Sequence, residues 1–150
     1  MNWLVIGIGN TLRRDDGLGP WLAEQIAAWR LPAVTTCSVH QLTPELIDAI
    51  AKHERVLFLD ACTSSGGSLT EVEPSTGANR LGHALSPADI LSLTDCLASR
   101  RPRAWLAAIP GSEFGFGEGL STEAVRRGGE ALINIGKLLR GAASSAKSAS

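Results

Sequence analysis

The sequence predicts an α/β fold: a single domain in three layers, α/β/α, with a mostly parallel twisted sheet of about five strands flanked by helices. Two observations carry this. Apolar runs of strand length alternate with segments of helical periodicity along the whole chain. The helix starts are also marked in the sequence, by a hydroxyl residue before proline in Thr43-Pro44 and Ser86-Pro87.

Taken in order, the first strand is read at 2–8, where Trp3-Leu4-Val5-Ile6 is apolar throughout, and it runs into a glycine turn. A helix follows at about 17–30, because Leu18, Trp21, Leu22, Ile26 and Trp29 fall on one face of a 3.6-residue period. A second strand at 33–39 leads to a helix at 43–53 capped at Thr43, and a third strand at 55–60 ends on Asp60. A shorter, more polar strand lies near 68–73. Ser86 and Asp89 make a capping-box pattern that opens a helix at 86–98. The last strand is placed at 103–109 and the last helix at 121–140, with Ser121 as its cap. Residues 1–140 form one domain, and 141–150, rich in Ala, Ser and Gly, read as a solvated, mobile tail.

Composition narrows the function. A chain of 150 residues buries roughly two-thirds of the surface its unfolded form exposes, so it needs no covalent staple. Its formal net charge is −1, which gives no basic field for nucleic acid or an anionic membrane. No apolar run approaches bilayer length and no leader pattern precedes the first strand, so the expected compartment is the cytoplasm. Cys37, Cys62 and Cys96 are odd in number and widely spaced, as small buried free thiols are in a reducing compartment.

Right-handed crossovers place the strand-to-helix loops on the carboxyl edge of the sheet, where open α/β folds bind ligands. The polar residues gather there: Asn10, Asp15 and Asp16 after the first strand, His40 and Gln41 after the second, Asp60, Thr63 and Ser64 after the third, and Ser112, Glu113 and Glu118 after the last. His83 precedes a helix start in a loop that can fold over the same edge.

Gly7-Ile8-Gly9-Asn10 after a strand suggests a nucleotide loop, but Leu12 stands where a third glycine is wanted, and Asp15 and Asp16 would repel a pyrophosphate. Carboxylates at this place suit a helix dipole or a cation. Either Asp15 or Asp16 caps the first long helix while the other is free for a ligand. Asp60 either ties down its own loop or acts at the site. Asp16, Asp60 and His83 together would offer a borderline divalent ion such as nickel or zinc an incomplete set of ligands. Asp16 and Asp60, if they converge, also make an acid/base pair. His53, at a helix end beside Lys52, reads as structural. Gly115, Gly117 and Gly119 make an irregular turn that either closes a loop or covers a peptide, with Trp21, Phe114 and Phe116 as apolar contacts or as core. No Gly-x-Ser-x-Gly elbow is present, and Cys62 has no partner signature.

Five ordered segments resemble the hydrogenase maturation endopeptidases, which remove a C-terminal extension from a [NiFe] hydrogenase large subunit once nickel is inserted. The opening stands as Gly7-Ile8-Gly9-Asn10-Thr11-Leu12-Arg13-Arg14-Asp15-Asp16-Gly17-Leu18-Gly19. Later landmarks are His40-Gln41-Leu42-Thr43-Pro44-Glu45-Leu46, Phe58-Leu59-Asp60-Ala61, His83-Ala84-Leu85-Ser86-Pro87 and Gly117-Glu118-Gly119-Leu120-Ser121. The resemblance implies that Asp16, Asp60 and His83 contact nickel, that Asp16 and Asp60 serve catalysis, and that the partner is a hydrogenase large-subunit precursor carrying the nickel. Some members have Glu at the position of Asp16, so the shorter side chain here implies a closer backbone or another coordination mode. A non-catalytic, metal-dependent module binding the same precursor is the alternative reading.

Overall fold

In the computed structural model, residues 2–76 and 84–149 are described, the segment after 141 as backbone alone. The strands are β1 (Trp3–Ile8), β2 (Val34–Val39), β3 (Arg55–Cys62), β4 (Ser68–Val72) and β5 (Arg103–Pro110). The α-helices are α1 (Leu18–Ala28), α2 (Ile47–Ala51), α3 (Pro87–Ala98) and α4 (Thr122–Ala149), with short 3₁₀ turns at Arg14–Gly17 and Pro44–Leu46. They form one five-stranded sheet in the order β2-β1-β3-β5-β4, parallel except for the antiparallel edge strand β4. The expected α/β architecture is therefore what the chain adopts.

Because side chains alternate across a strand, the sheet buries two apolar layers. Val5, Leu57, Leu59, Ala107 and Ile109 face α1 and α4, joined by Leu18, Leu22, Ile26 and Ile135. Leu4, Ile6, Val56 and Phe58 face α2 and α3, joined by Ile47, Ile50, Ile90 and Leu91. The side chain after Phe58 on that second face is Asp60, and the parallel register sets it beside Ile8, the last residue of β1. The amino edge is stitched by stacked side chains. The Arg55 guanidinium lies 5.8 Å from the ring centroids of both Trp3 and Trp105, and Arg103 lies 4.9 Å from Trp105 while donating twice to Glu71 at 3.0 Å.

Several local expectations are corrected. The first α-helix starts at Leu18, within a residue of its expected start, but a 3₁₀ turn over Arg14–Gly17 leads into it and it ends at Ala28, short of 30. Residues 43–53 hold only a 3₁₀ turn and a five-residue helix, and the Thr43 side chain makes no cap bond. The pre-proline residue stays extended, and Pro44 itself sits at the first helical position. The capping box at Ser86 forms as read: Ser86 Oγ accepts from Asp89 N at 3.1 Å, and Asp89 Oδ2 accepts from Ser86 N at 3.0 Å. Cys37 and Cys62 are partly buried, but Cys96 is exposed because Ile90, Leu91 and Thr94 occupy the inward face of α3. The helical backbone of α4 passes 140 and continues to Ala149, through an alanine-rich run with favourable helix propensity.

Candidate functional site

The first loop is built on close backbone approach. Gly9 has φ 149°, and a Cβ there would overlap the Asp16 carbonyl oxygen. A Cβ at Gly19 would overlap the carbonyl oxygens of Ile8 and Leu59. The glycines thus let the loop and the start of α1 press onto the ends of β1 and β3, and this chain's own backbone fills the space a phosphate would need. Asn10 starts the turn in Asx fashion, its Oδ1 accepting from Leu12 N at 2.9 Å.

Neither carboxylate of the Asp15-Asp16 pair caps α1, whose N-cap is Gly17 without a side-chain bond. Asp15 is fully buried and points across the molecule instead. Its Oδ2 accepts from Ser112 N at 2.7 Å, Glu113 N at 2.9 Å and Ser121 Oγ at 2.7 Å, and its Oδ1 accepts from Ser121 N at 2.7 Å. Burial would raise its pKa, but the bonds from Ser121, Glu113 and Ser112 outweigh that and hold the carboxyl below its ordinary value. Asp15 N also donates to Glu113 O at 2.8 Å. Ser121 Oγ then accepts from Ala124 N at 3.2 Å and so caps α4, as its sequence position predicts.

Asp16 is left facing the carboxyl edge, half-buried, with Oδ2 accepting from Asn10 N at 2.7 Å. The turn carrying it packs against β3. Asp60, also half-buried, ends the apolar part of that strand. Burial pushes its carboxyl up to about 6, the Ala61 backbone N–H partly offsets this, and the negative charge of Asp16 adds to the rise. The structure therefore brings two of the three expected residues, Asp16 and Asp60, into one electrostatic neighbourhood. A cation or a shared proton placed between them would relieve their repulsion, so this donor set fits a divalent ion held partly by someone else's ligands.

His83, the third expected ligand, lies outside the described residues. Among the described residues no three of His, Cys, Asp or Glu converge closely enough to hold a metal ion. His40 is exposed immediately after β2, and Leu42 forms an antiparallel bridge with Leu85. His53 Nδ1 donates to Ala49 O at 2.7 Å, which fits its structural reading at the end of α2. Cys62 Sγ lies 3.3 Å from Ser64 Oγ, and burial pushes the Cys37 thiol up. Trp21 is half-buried and, with Thr11, Pro20, Leu120 and Val125, lines a cleft of about 350 Å³ beside the first loop.

Sequence reasoning singled out Asp16 and Asp60, which the fold brings into one neighbourhood, but missed what Asp15 does. Its partner Ser121 lies 106 residues away, and no local pattern signals a bond of that span.

No protein-family model matches the chain, and no curated protein matches it in sequence. Solved structures do. The chain is similar to the hydrogenase maturating endopeptidase HybD from E. coli, with a TM-score of 0.74 at 20% identity over 95% of this chain and 94% of that one. It is similar to the [NiFe] hydrogenase maturation protease HycI from Thermococcus kodakarensis KOD1, with a TM-score of 0.70 at 23% identity over 93% and 92%. A hydrogenase 2 maturation peptidase from Thaumarchaeota archaeon SCGC_AB-539-E09 aligns with a TM-score of 0.70 at 19% identity over 93% and 98%.

Proposed function

We propose that this chain, whose fold is that of the hydrogenase maturation endopeptidases, is itself an endopeptidase that removes the C-terminal extension of a [NiFe] hydrogenase large-subunit precursor after recognising its nickel. The observation that carries the reading is the pair of half-buried carboxylates, Asp16 and Asp60, mutually repelling at the carboxyl edge of this fold.

In this reading the nickel arrives as part of the substrate, held by the precursor, and Asp16 and Asp60 supply the few oxygen ligands that recognise it. His83 joins them by family resemblance. A short ligand set gives weak binding of the free ion, so the chain responds to loaded substrate and not to stray metal. The Asn10 N–H orients Asp16 from behind, leaving that carboxylate little freedom to swing. Asp60, whose negative charge its surroundings disfavour, takes the proton from the water that attacks the scissile carbonyl and returns it to the leaving amine nitrogen as the C–N bond breaks. The compartment that suits this role is the cytoplasm, and no described helix is long and apolar enough to cross a membrane.

The test is mass spectrometry of a hydrogenase large-subunit precursor incubated with the chain, with and without nickel. Loss of a C-terminal fragment from the loaded form alone is the expected result. An intact precursor in both, with a complex formed, would instead support the binding-module reading.

A further inference from the structure

The segment 111–120 carries a phenylalanine almost wholly in water: Phe116 is 96% exposed, against 43% to 68% for the other exposed large apolar side chains among the described residues. Such exposure is ordinary on a floppy loop, but this loop is pinned along its length. Ser112 N and Glu113 N are held by Asp15, Glu113 O accepts from Asp15 N, and Ser121 N closes the far end on the same carboxylate. In the middle, Arg14 N donates to Gly117 O at 3.0 Å and Gly117 N donates to Leu12 O at 2.9 Å. The ring of Phe114, two residues earlier, lies against Gly111, while Phe116 has nothing comparable to settle on.

The same two bonds fix the loop beside the first turn. They tie Gly117, the neighbour of Phe116, to Arg14, the first residue of the turn that carries Asp16, and to Leu12 just before it, which is itself 51% exposed. Arg13, Glu113 and Glu118, on the same two bonded loops, are exposed as well. A rigid aromatic with an apolar neighbour and a polar rim has the composition of an interface hot spot, preorganised so that little ordering entropy is lost on binding.

We infer that Phe116, with Leu12 beside it, is the docking anchor of this chain, inserting into an apolar socket on the folded body of the substrate precursor next to the segment that is cut. The inference rests on the proposed peptidase reading, because a surface that brings its metal to Asp16 must also face the loop tied to that turn. A folded body is favoured over the extension because a held, outward-pointing ring needs a preformed cavity, whereas a flexible peptide would fit a cleft.

Cleavage of nickel-loaded precursor by Phe116→Ala should show KM raised about thirty-fold, with the loss in KM and not in kcat. The melting temperature should stay within about 1 °C of the parent, since the exposed ring contributes little to folding. Phe116→Trp should restore KM to within about threefold. Ile133→Ala, which trims an apolar side chain 63% exposed on α4, serves as the control and leaves KM unchanged. A KM for Phe116→Ala within about twofold of the parent overturns the inference, as does an unchanged KM with loss of a self-associated species in sedimentation. If the parent binds precursor without cutting it and Phe116→Ala loses that binding, the peptidase reading fails while the anchor stands. If the parent neither binds nor cuts, both fail.

Discussion

The Asp15 carboxylate accepts both the backbone N–H and the hydroxyl of Ser121, each at 2.7 Å and across 106 residues of chain. Through this pair the first loop, the β5 loop and the start of α4 share one buried negative charge. The neighbouring Asp16 is thereby freed from capping duty and faces the edge.

Asp15→Ala should cost about 3–4 kcal/mol of unfolding free energy, because it removes the shared acceptor of three backbone N–H groups and a hydroxyl. Ser121→Ala, which removes one donor and the α4 cap, should cost about 1–2 kcal/mol. Urea unfolding of the two variants against the parent measures both, and equal costs would contradict the shared-charge description.

Asp60 and Asp15 should give the pH dependence of stability opposite signs. For Asp60 the folded pKa is raised to about 6 from 3.8, so the folded form binds more protons between those values. Its contribution is full below about pH 4 and is lost as pH rises through 6. For Asp15 the folded pKa is lowered, so its contribution is present above its ordinary value and is lost as pH falls below it. Asp60→Asn should therefore remove the decline between pH 4 and 6 and be more stable than the parent at pH 7. Urea midpoints across that range decide it; an unchanged slope would show that Asp60 titrates normally.

Gly9→Ala should destabilise by about 3 kcal/mol or more, since φ is 149° and the Cβ would overlap the Asp16 carbonyl. The variant should also lose precursor cleavage, because the displaced strand end and turn carry Asp16. Thermal unfolding and a cleavage assay should move together; a well-folded, active Gly9→Ala chain would contradict the packing account.

Asp16→Asn and Asp60→Asn should each lower precursor cleavage by at least about a hundredfold while the circular dichroism spectrum stays that of the parent. Asp16→Asn should in addition lower the Asp60 pKa, because the adjacent negative charge is gone. Carboxyl carbon shifts in NMR follow Asp60 directly.

The sheet was readable because apolar runs such as Val56-Leu57-Phe58-Leu59 and periodic segments such as Leu18-Leu22-Ile26 each report a local preference that the fold keeps. Asp60 was readable for the related reason that a charge ending an apolar strand stands out. The second helix was overestimated because Thr43-Pro44 marks where a helix can begin, not how far it runs. The roles within Asp15-Asp16 were invisible, since the residue deciding them, Ser121, meets Asp15 only after the chain has folded. Gly9 carried a misleading signal: the pattern reports that something approaches the backbone closely, and the visitor is the protein itself.

The pairing of Ile8 with Asp60 also limits how this family of sites can diverge. One residue inserted into β3 before Phe58 would carry the Asp60 carboxylate to the opposite side of the sheet and move Phe58 and Leu59 with it, scrambling both apolar layers at once. The address of the charge is thus written in the same count that builds the interior. New chemistry on this scaffold is reached by exchanging side chains at fixed positions, or by rebuilding loops beyond the strand ends, and not by sliding the site along the sheet.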